Sequence, residues 1–269
     1  MRASADRLLT LRRSIAAIER RPPPGAPEAF GLGPEGLDRR LGGGLARGRL
    51  HEIFATEPED ASAAAGFALM LALRARDARR PIWWARQEAA ERRTGRLHAP
   101  GLLELGADPA GLVLAIAPDD MALLRAAADI VRCPEVGAAV IEVWERPRAL
   151  DLTASRRLAV AAGESGVTAF LLRAGATPAP SAADTRWQVR AAASAALEAG
   201  APGHAALEIS LLRHRAGLAG LVQRVEWDRE RLRLREPPLF GAVVSLPAGR
   251  PAAAGGGNGS GIGVWRRSA

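Results

Sequence analysis

The sequence predicts an α/β domain with a mostly parallel central sheet, helices on both faces and antiparallel strands toward its C-terminal side. Three observations carry this. Between residues 49 and 173, short apolar segments alternate with segments of helical periodicity, which is the pattern of repeated β–α units. After Arg173 the rhythm changes to strand-like segments separated by turns, without helices between them. The chain has 269 residues, 48% of them hydrophobic and 25% charged, enough for one sizeable domain with appendages.

Four parts are expected: an N-terminal helix at 1–21, a Pro-rich linker at 22–30, a core at 31–236 and a low-complexity tail at 237–269. Leu8, Leu11, Ile15 and Ile18 recur at three- and four-residue spacing with arginines between them, so residues 1–21 read as an amphipathic helix. Its stripe needs a cover, either the protein's own core or a partner. Pro22-Pro23-Pro24-Gly25 breaks the helix and stiffens the linker.

Within the core, strands are expected at Arg49–Ala55, Pro81–Ala85, Leu112–Ala117, Ala138–Trp144 and Val167–Arg173, with Pro81–Ala85 and Leu112–Ala117 read as buried. Helices are expected at Ala61–Arg76, Asp119–Arg132 and Asp151–Gly163. The acids of Pro118-Asp119-Asp120 suit the positive end of a helix. Trp83 and Trp84, adjacent on a strand, must face opposite sides and read as packing residues. Ala174–Ala183 reads as a loop, and His204–Arg213, Gly220–Asp228 and Arg231–Arg235 as consecutive strands. The tail carries a Gly-rich run, expected to be disordered, and ends in Val264-Trp265-Arg266-Arg267. Trp265, Arg266 and Arg267 are candidates for a short partner-binding motif, beside the plainer reading of an inert tail.

The formal net charge is +8, and every basic side chain other than histidine is an arginine. That balance permits contact with nucleic acid or an acidic partner without choosing between them. No stretch approaches the roughly 18–20 uncharged apolar residues of a membrane span, and Met1–Arg13 does not read as an export signal. Cytoplasmic placement is therefore expected. The single cysteine, Cys133, excludes an internal disulfide and reads as a small core residue. His51, His98, His204 and His214 are too dispersed to suggest a metal site, and no nucleophile elbow or catalytic carboxylate pair is visible.

Several segments, in order, resemble the RecA ATPase core over roughly residues 31–190. Gly36–Phe54 resembles that family's leading helix, Gly-rich turn and the strand that delivers the chain to the phosphate loop. Leu102–Asp108 with Leu112–Arg132, then Ala138–Trp144 in the Walker B position, then Leu152–Arg173 continue the match. The departure comes after Phe54. A RecA-type ATPase has a Gly-rich loop ending in Gly-Lys-Ser/Thr, whose N–H groups, lysine and hydroxyl hold phosphates and Mg²⁺. This chain has Ala55-Thr56-Glu57-Pro58-Glu59-Asp60-Ala61-Ser62. Like charges ~4 Å apart repel by about 4 kcal/mol at an effective dielectric near ~20, so Glu57, Glu59 and Asp60 would oppose phosphates. Proline at 58 also removes a donor. Ser62 could ligate Mg²⁺ but reads more plainly as a helix residue.

Other positions follow from the same resemblance. Glu142 falls where the family has a metal-associated aspartate, Gln87 or Glu88 where it has a water-activating glutamate, and Arg173 where it has a nucleotide-sensing glutamine. The two DNA-gripping loops are shortened to about Glu145–Leu150 and Ala174–Ala183, leaving Arg146, Arg148 and Arg186 as candidate DNA contacts or plain solvated charges.

RecA-like core, degenerate loop, N-terminal helix and floppy tail together resemble the ImuA family. That resemblance implies a protein of the SOS response without catalytic activity or cofactor. It would act in translesion synthesis with ImuB, an inactive Y-family polymerase, and with an error-prone replicative-type polymerase. RecA is a further partner. Two other readings stand beside it: a divergent ATPase with Arg86 or Arg47 in place of the missing lysine, and a damage-induced cell-division inhibitor.

Overall fold

The computed structural model describes residues 28–237, apart from 195, 196, 198–200 and 202. The expected N-terminal helix with Leu8, Leu11, Ile15 and Ile18, most of the linker, and the tail with Trp265, Arg266 and Arg267 lie outside the described residues.

The described chain begins with β1 (Ala29–Phe30), which pairs antiparallel with β2 (Leu45–Ala46) around the short helix α1 (Glu35–Arg40). The Gly42-Gly43-Gly44 turn between α1 and β2 has positive φ throughout. A Cβ on Gly44 would stand 2.1 Å from the Phe30 carbonyl oxygen, so this pairing requires glycine there.

Then the β–α alternation starts. β3 (Leu50–Ala55) leads through a 3₁₀ turn (Pro58–Asp60) into α2 (Ala61–Ala75). β4 (Ile82–Gln87), α3 (Glu88–Thr94), α4 (Ala99–Glu104), β5 (Leu112–Ala117), α5 (Asp120–Arg132), β6 (Ala138–Trp144), α6 (Leu152–Ser165) and β7 (Thr168–Ala174) follow. The last strands are β8 (Thr185–Ala191), β9 (Ala206–His214), β10 (Leu221–Asp228) and β11 (Arg233–Arg235).

Among the described residues the main sheet runs β11-β10-β9-β8-β3-β7-β6-β4-β5. The pairs from β8 to β5 are parallel, and those from β8 through β9 and β10 to β11 are antiparallel. The predicted fold class is therefore what the chain adopts. α2 covers one face, where Phe67, Leu69, Met70 and Leu71 pack on Ile53, Trp84, Val140, Phe170 and Trp187. α5 and α6 cover the other, packing on Ala85, Ile141 and Leu171. Asp119 and Asp151 cap α5 and α6 by accepting hydrogen bonds from the Ala122 and Ala154 N–H groups.

Three expectations need correction. β8 was not anticipated, yet it pairs directly with β3. Its buried Thr185, Trp187 and Val189 alternate with Arg186, Gln188 and Arg190, a clean period of two behind a loop-like Pro/Ala/Ser stretch. Leu112–Ala117 is not a buried strand but the sheet edge, with Leu114 and Ile116 42% and 43% exposed. Cys133 is exposed just after α5 and is not a core residue. Trp84 is buried against α2 while Trp83 packs on the opposite face, as the strand reading required.

Candidate functional site

In parallel sheets of this kind ligands sit outside the carboxyl ends of the strands; two clusters of buried charge lie on opposite faces of the sheet, one near those ends and one at mid-strand. The first joins β4 and β6 on the face covered by α2. The Glu142 carboxylate accepts from Trp84 Nε1 at 2.8 Å and from Arg86 Nη2 at 2.9 Å. Arg86 also donates to the Gly95 carbonyl and to Thr94 Oγ1, which closes the α3–α4 connection over the cluster. Both ion-pair side chains are under 5% exposed. Register places Arg86 beside Glu142 on adjacent parallel strands, so the pair follows directly from strand order. Glu142 thus has one oxygen engaged by an indole and the other by a guanidinium.

The connection from β3 to α2 is compact. Thr56 is half-buried and accepts from the Gln188 amide; Glu57 and Glu59 are exposed. The Asp60 N–H donates to the Glu57 carbonyl and the Ala61 N–H to that of Pro58, within the 3₁₀ turn. Asp60 turns its carboxylate to the Ala191 N–H at the end of β8. No residue from Ala55 to Ser62 has positive φ. The Asp60 and Ala61 N–H groups are therefore used within the turn, in contrast to a loop whose N–H groups converge on a phosphate.

Gln87 is buried, accepting from the Trp144 N–H and donating to Asp120. Glu88 starts α3 at the surface and pairs with Arg92. Arg47 lies at the other end of α2, bound to the Ala75 and Arg74 carbonyls. It is therefore remote from Ser62, which sits at the start of that helix.

The second cluster joins β3, β7 and β8 on the α6 side. The buried Glu52 carboxylate takes Arg173 Nη1 at 3.0 Å, the Ser181 hydroxyl at 2.6 Å and Arg186 Nε at 3.3 Å. Arg173 also stacks over Phe54, and its Nε and Nη2 have no partner. Burial pulls the Arg186 pKa below its ordinary value, opposed by the Glu52 charge. Arg186 was proposed as a DNA contact or a solvated charge; it is instead half-buried and committed to Glu52 and Ser181. Arg146 and Arg148, on the short loop after β6, are exposed.

His51, on β3, is the titratable group that motif reading passed over. Trp187 Nε1 donates to Thr185 Oγ1, His51 Nδ1 lies 2.8 Å from the same hydroxyl, and His51 Nε2–H donates to the Ala46 carbonyl. Complete burial holds its pKa below the ordinary histidine value, which favours a neutral imidazole whose Nδ1 accepts from the Thr185 hydroxyl.

Beside the first cluster is a cavity of about 260 Å³, bounded by α2 (Ser62, Gly66), β4 (Trp84, Arg86) and the 94–105 segment. Among the described residues no set of three or more His, Cys, Asp or Glu side chains is grouped as a metal site, and no helix is long and apolar enough to cross a membrane.

The architecture is that of a RecA-like protein. The crystal structure of the RadB recombinase superposes with a TM-score of 0.51 at 14% identity, covering 77% of this chain and 99% of that one. In sequence the chain is a homologue of Protein ImuA from two strains of Caulobacter vibrioides, 35% identical over 167 residues. The match takes in 57% of this chain and 64% of those relatives, just under two thirds of their length. No family model matches.

Proposed function

We propose that this chain is a non-catalytic RecA-like adaptor of the DNA-damage response. It acts in translesion synthesis with an inactive Y-family polymerase and an error-prone replicative-type polymerase, and its mechanism is recruitment without chemistry. The carrying observation is Glu142. The carboxylate that would organise a metal–nucleotide complex in this reading already has each oxygen engaged, one by Trp84 and the other by Arg86. The guanidinium supplies from within the charge that a cation would supply from without. The β3–α2 connection supports the same reading, because the Asp60 and Ala61 N–H groups are bonded within it and Glu57 and Glu59 would repel phosphates. The likeness to Protein ImuA supports a damage-response setting, and the polymerase partners are what the resemblance to the ImuA family implies.

The test is co-purification of the full chain with an ImuB-type polymerase and an error-prone replicative polymerase, set beside steady-state ATP turnover with and without DNA. The reading expects a stable complex and turnover indistinguishable from a buffer blank. DNA-stimulated turnover that follows the protein through purification overturns it, as does failure to bind either polymerase.

A further inference from the structure

We propose that β5 is a self-association edge: two copies of this chain pair β5 with β5, antiparallel about a twofold axis, and join their sheets into one. Among the described residues β5 is bonded to β4 alone and closes one end of the sheet. The backbone N–H and C=O groups on its outer side are a ready template for a further strand.

The two ends of the sheet are built differently. β11, at the far end, is three residues, Arg-Leu-Arg. Short length and charge are how an edge facing water is kept from pairing. β5 is Leu-Val-Leu-Ala-Ile-Ala, six residues without charge or proline. It runs in step with β4 over its whole length, so no bulge turns it aside. Leu114 and Ile116 stand 42% and 43% exposed on it. One edge is guarded and the other is open to a strand.

The strand is complementary to itself, which argues for a second copy as the occupant. Leu112, Leu114 and Ile116 lie on the α2 side, and Val113, Ala115 and Ala117 on the α5 side. A twofold axis perpendicular to the sheet keeps each side with its like, so every opposed pair is apolar and no charge is buried. Centred on Ala115, the axis sets Leu114 against Ile116 of the second copy and Val113 against Ala117. The charges at the strand ends choose the direction. Arg76 Nη1 lies 3.1 Å from where a Cβ on Gly111 would stand, at the start of β5. Asp119, exposed, follows the end of β5. Asp108, also near the start, is turned to the Ala110 N–H. In this register Gly111 comes opposite Asp119, and each Arg76 approaches the Asp119 carboxylate of the second copy. Parallel pairing would instead set arginine beside arginine and aspartate beside aspartate. Once the two open edges have joined, both outer edges are β11, so the assembly stops at two.

Sedimentation velocity of the full chain from about 1 to 100 µM tests the pairing, and monomer passing into dimer with no larger species is expected. Leu114→Lys puts like charges beside the axis. It is expected to weaken association at least about tenfold, with the monomer still folded by circular dichroism. In a Cys133→Ser background, Ala115→Cys is expected to form an intermolecular disulfide on mild oxidation, because a residue on the axis meets itself. Leu112→Cys, opposite Pro118 of the second copy, is expected to crosslink poorly. A chain that stays monomeric, including one that takes a strand only from another protein, overturns the pairing. So do a dimer indifferent to Leu114→Lys, species growing beyond the dimer, and Leu112→Cys crosslinking as readily as Ala115→Cys. If Leu114→Lys does not fold, failure of Ala115→Cys to crosslink overturns it instead. The readout is independent of ATP and of polymerases, so the adaptor reading and this edge fail separately.

Discussion

The two buried charge clusters lie on opposite faces of one sheet and are closed in different ways. Around Glu142 one carboxylate meets one guanidinium and one indole, and the α3–α4 connection seals it through backbone and hydroxyl acceptors. Around Glu52 one carboxylate serves two guanidiniums and a hydroxyl, and Arg173 keeps two nitrogens, Nε and Nη2, without partners. The first cluster is nearly balanced and borders a cavity. The second is short of acceptors, and Ser181 fastens the loop after β7 to it. That loop is thereby tied to the core.

The largest effect is expected from Glu52→Ala. It leaves two partly or fully buried guanidiniums without their acid, and removing one member of a buried pair costs about 3–5 kcal/mol. Denaturant unfolding should place this variant at the upper end of that range, and a loss near 1 kcal/mol would contradict the assignment of Glu52 as the shared acid. Glu142→Ala should fall toward the lower end, since it strands one guanidinium that retains its Thr94 and Gly95 bonds. The double variant Glu142→Leu with Arg86→Met removes both charges together. It should recover most of the loss, measured as a coupling energy in a double-mutant cycle; strict additivity would show that the pair does not act as a unit.

Ser181→Ala deletes one hydrogen bond to a charged acceptor, worth about 1.5–3 kcal/mol. Limited proteolysis should then cut between 175 and 184 faster than in the parent protein, with cutting elsewhere unchanged. The smallest expected effect is in pH. His51 is held below its unfolded value, so the unfolded chain binds a proton first as pH falls. Its contribution is complete above about pH 6.5 and is lost on acidification, with a slope of at most about 1.4 kcal/mol per pH unit. Thermal melts from pH 7.5 to 5 should show this decline, and a His51→Phe variant should flatten that part of the profile.

What the sequence made legible depended on how local each signal is. The β–α rhythm from 49 to 173 is written in short periodic segments, and the strands it marks fall within a residue or two of those found. β8 carried an equally clean alternation, but the Ala-, Pro- and Ser-rich stretch before it masked where loop ends and strand begins. Leu112–Ala117 was misplaced because a continuous apolar run does not state whether neighbours lie on one side or both; Leu114 and Ile116 are at the edge. Glu142 was conspicuous as the lone acid in an apolar strand. Its partner Arg86 lies 56 residues away on β4, and only sheet order brings them side by side. The Glu52 cluster was beyond reach for the same reason, with Arg173 and Ser181 more than 120 residues distant.

The central claim is that Glu142 is committed to Trp84 and Arg86 and that the β3–α2 turn, with Glu57 and Glu59 exposed on it, disfavours phosphates. Calorimetric titration of the full chain with Mg²⁺·ATP, in parent and Glu142→Gln forms, tests it most directly. The account predicts no saturable heat in either. Micromolar binding by the parent that is lost in Glu142→Gln, with the variant still folded, would contradict it.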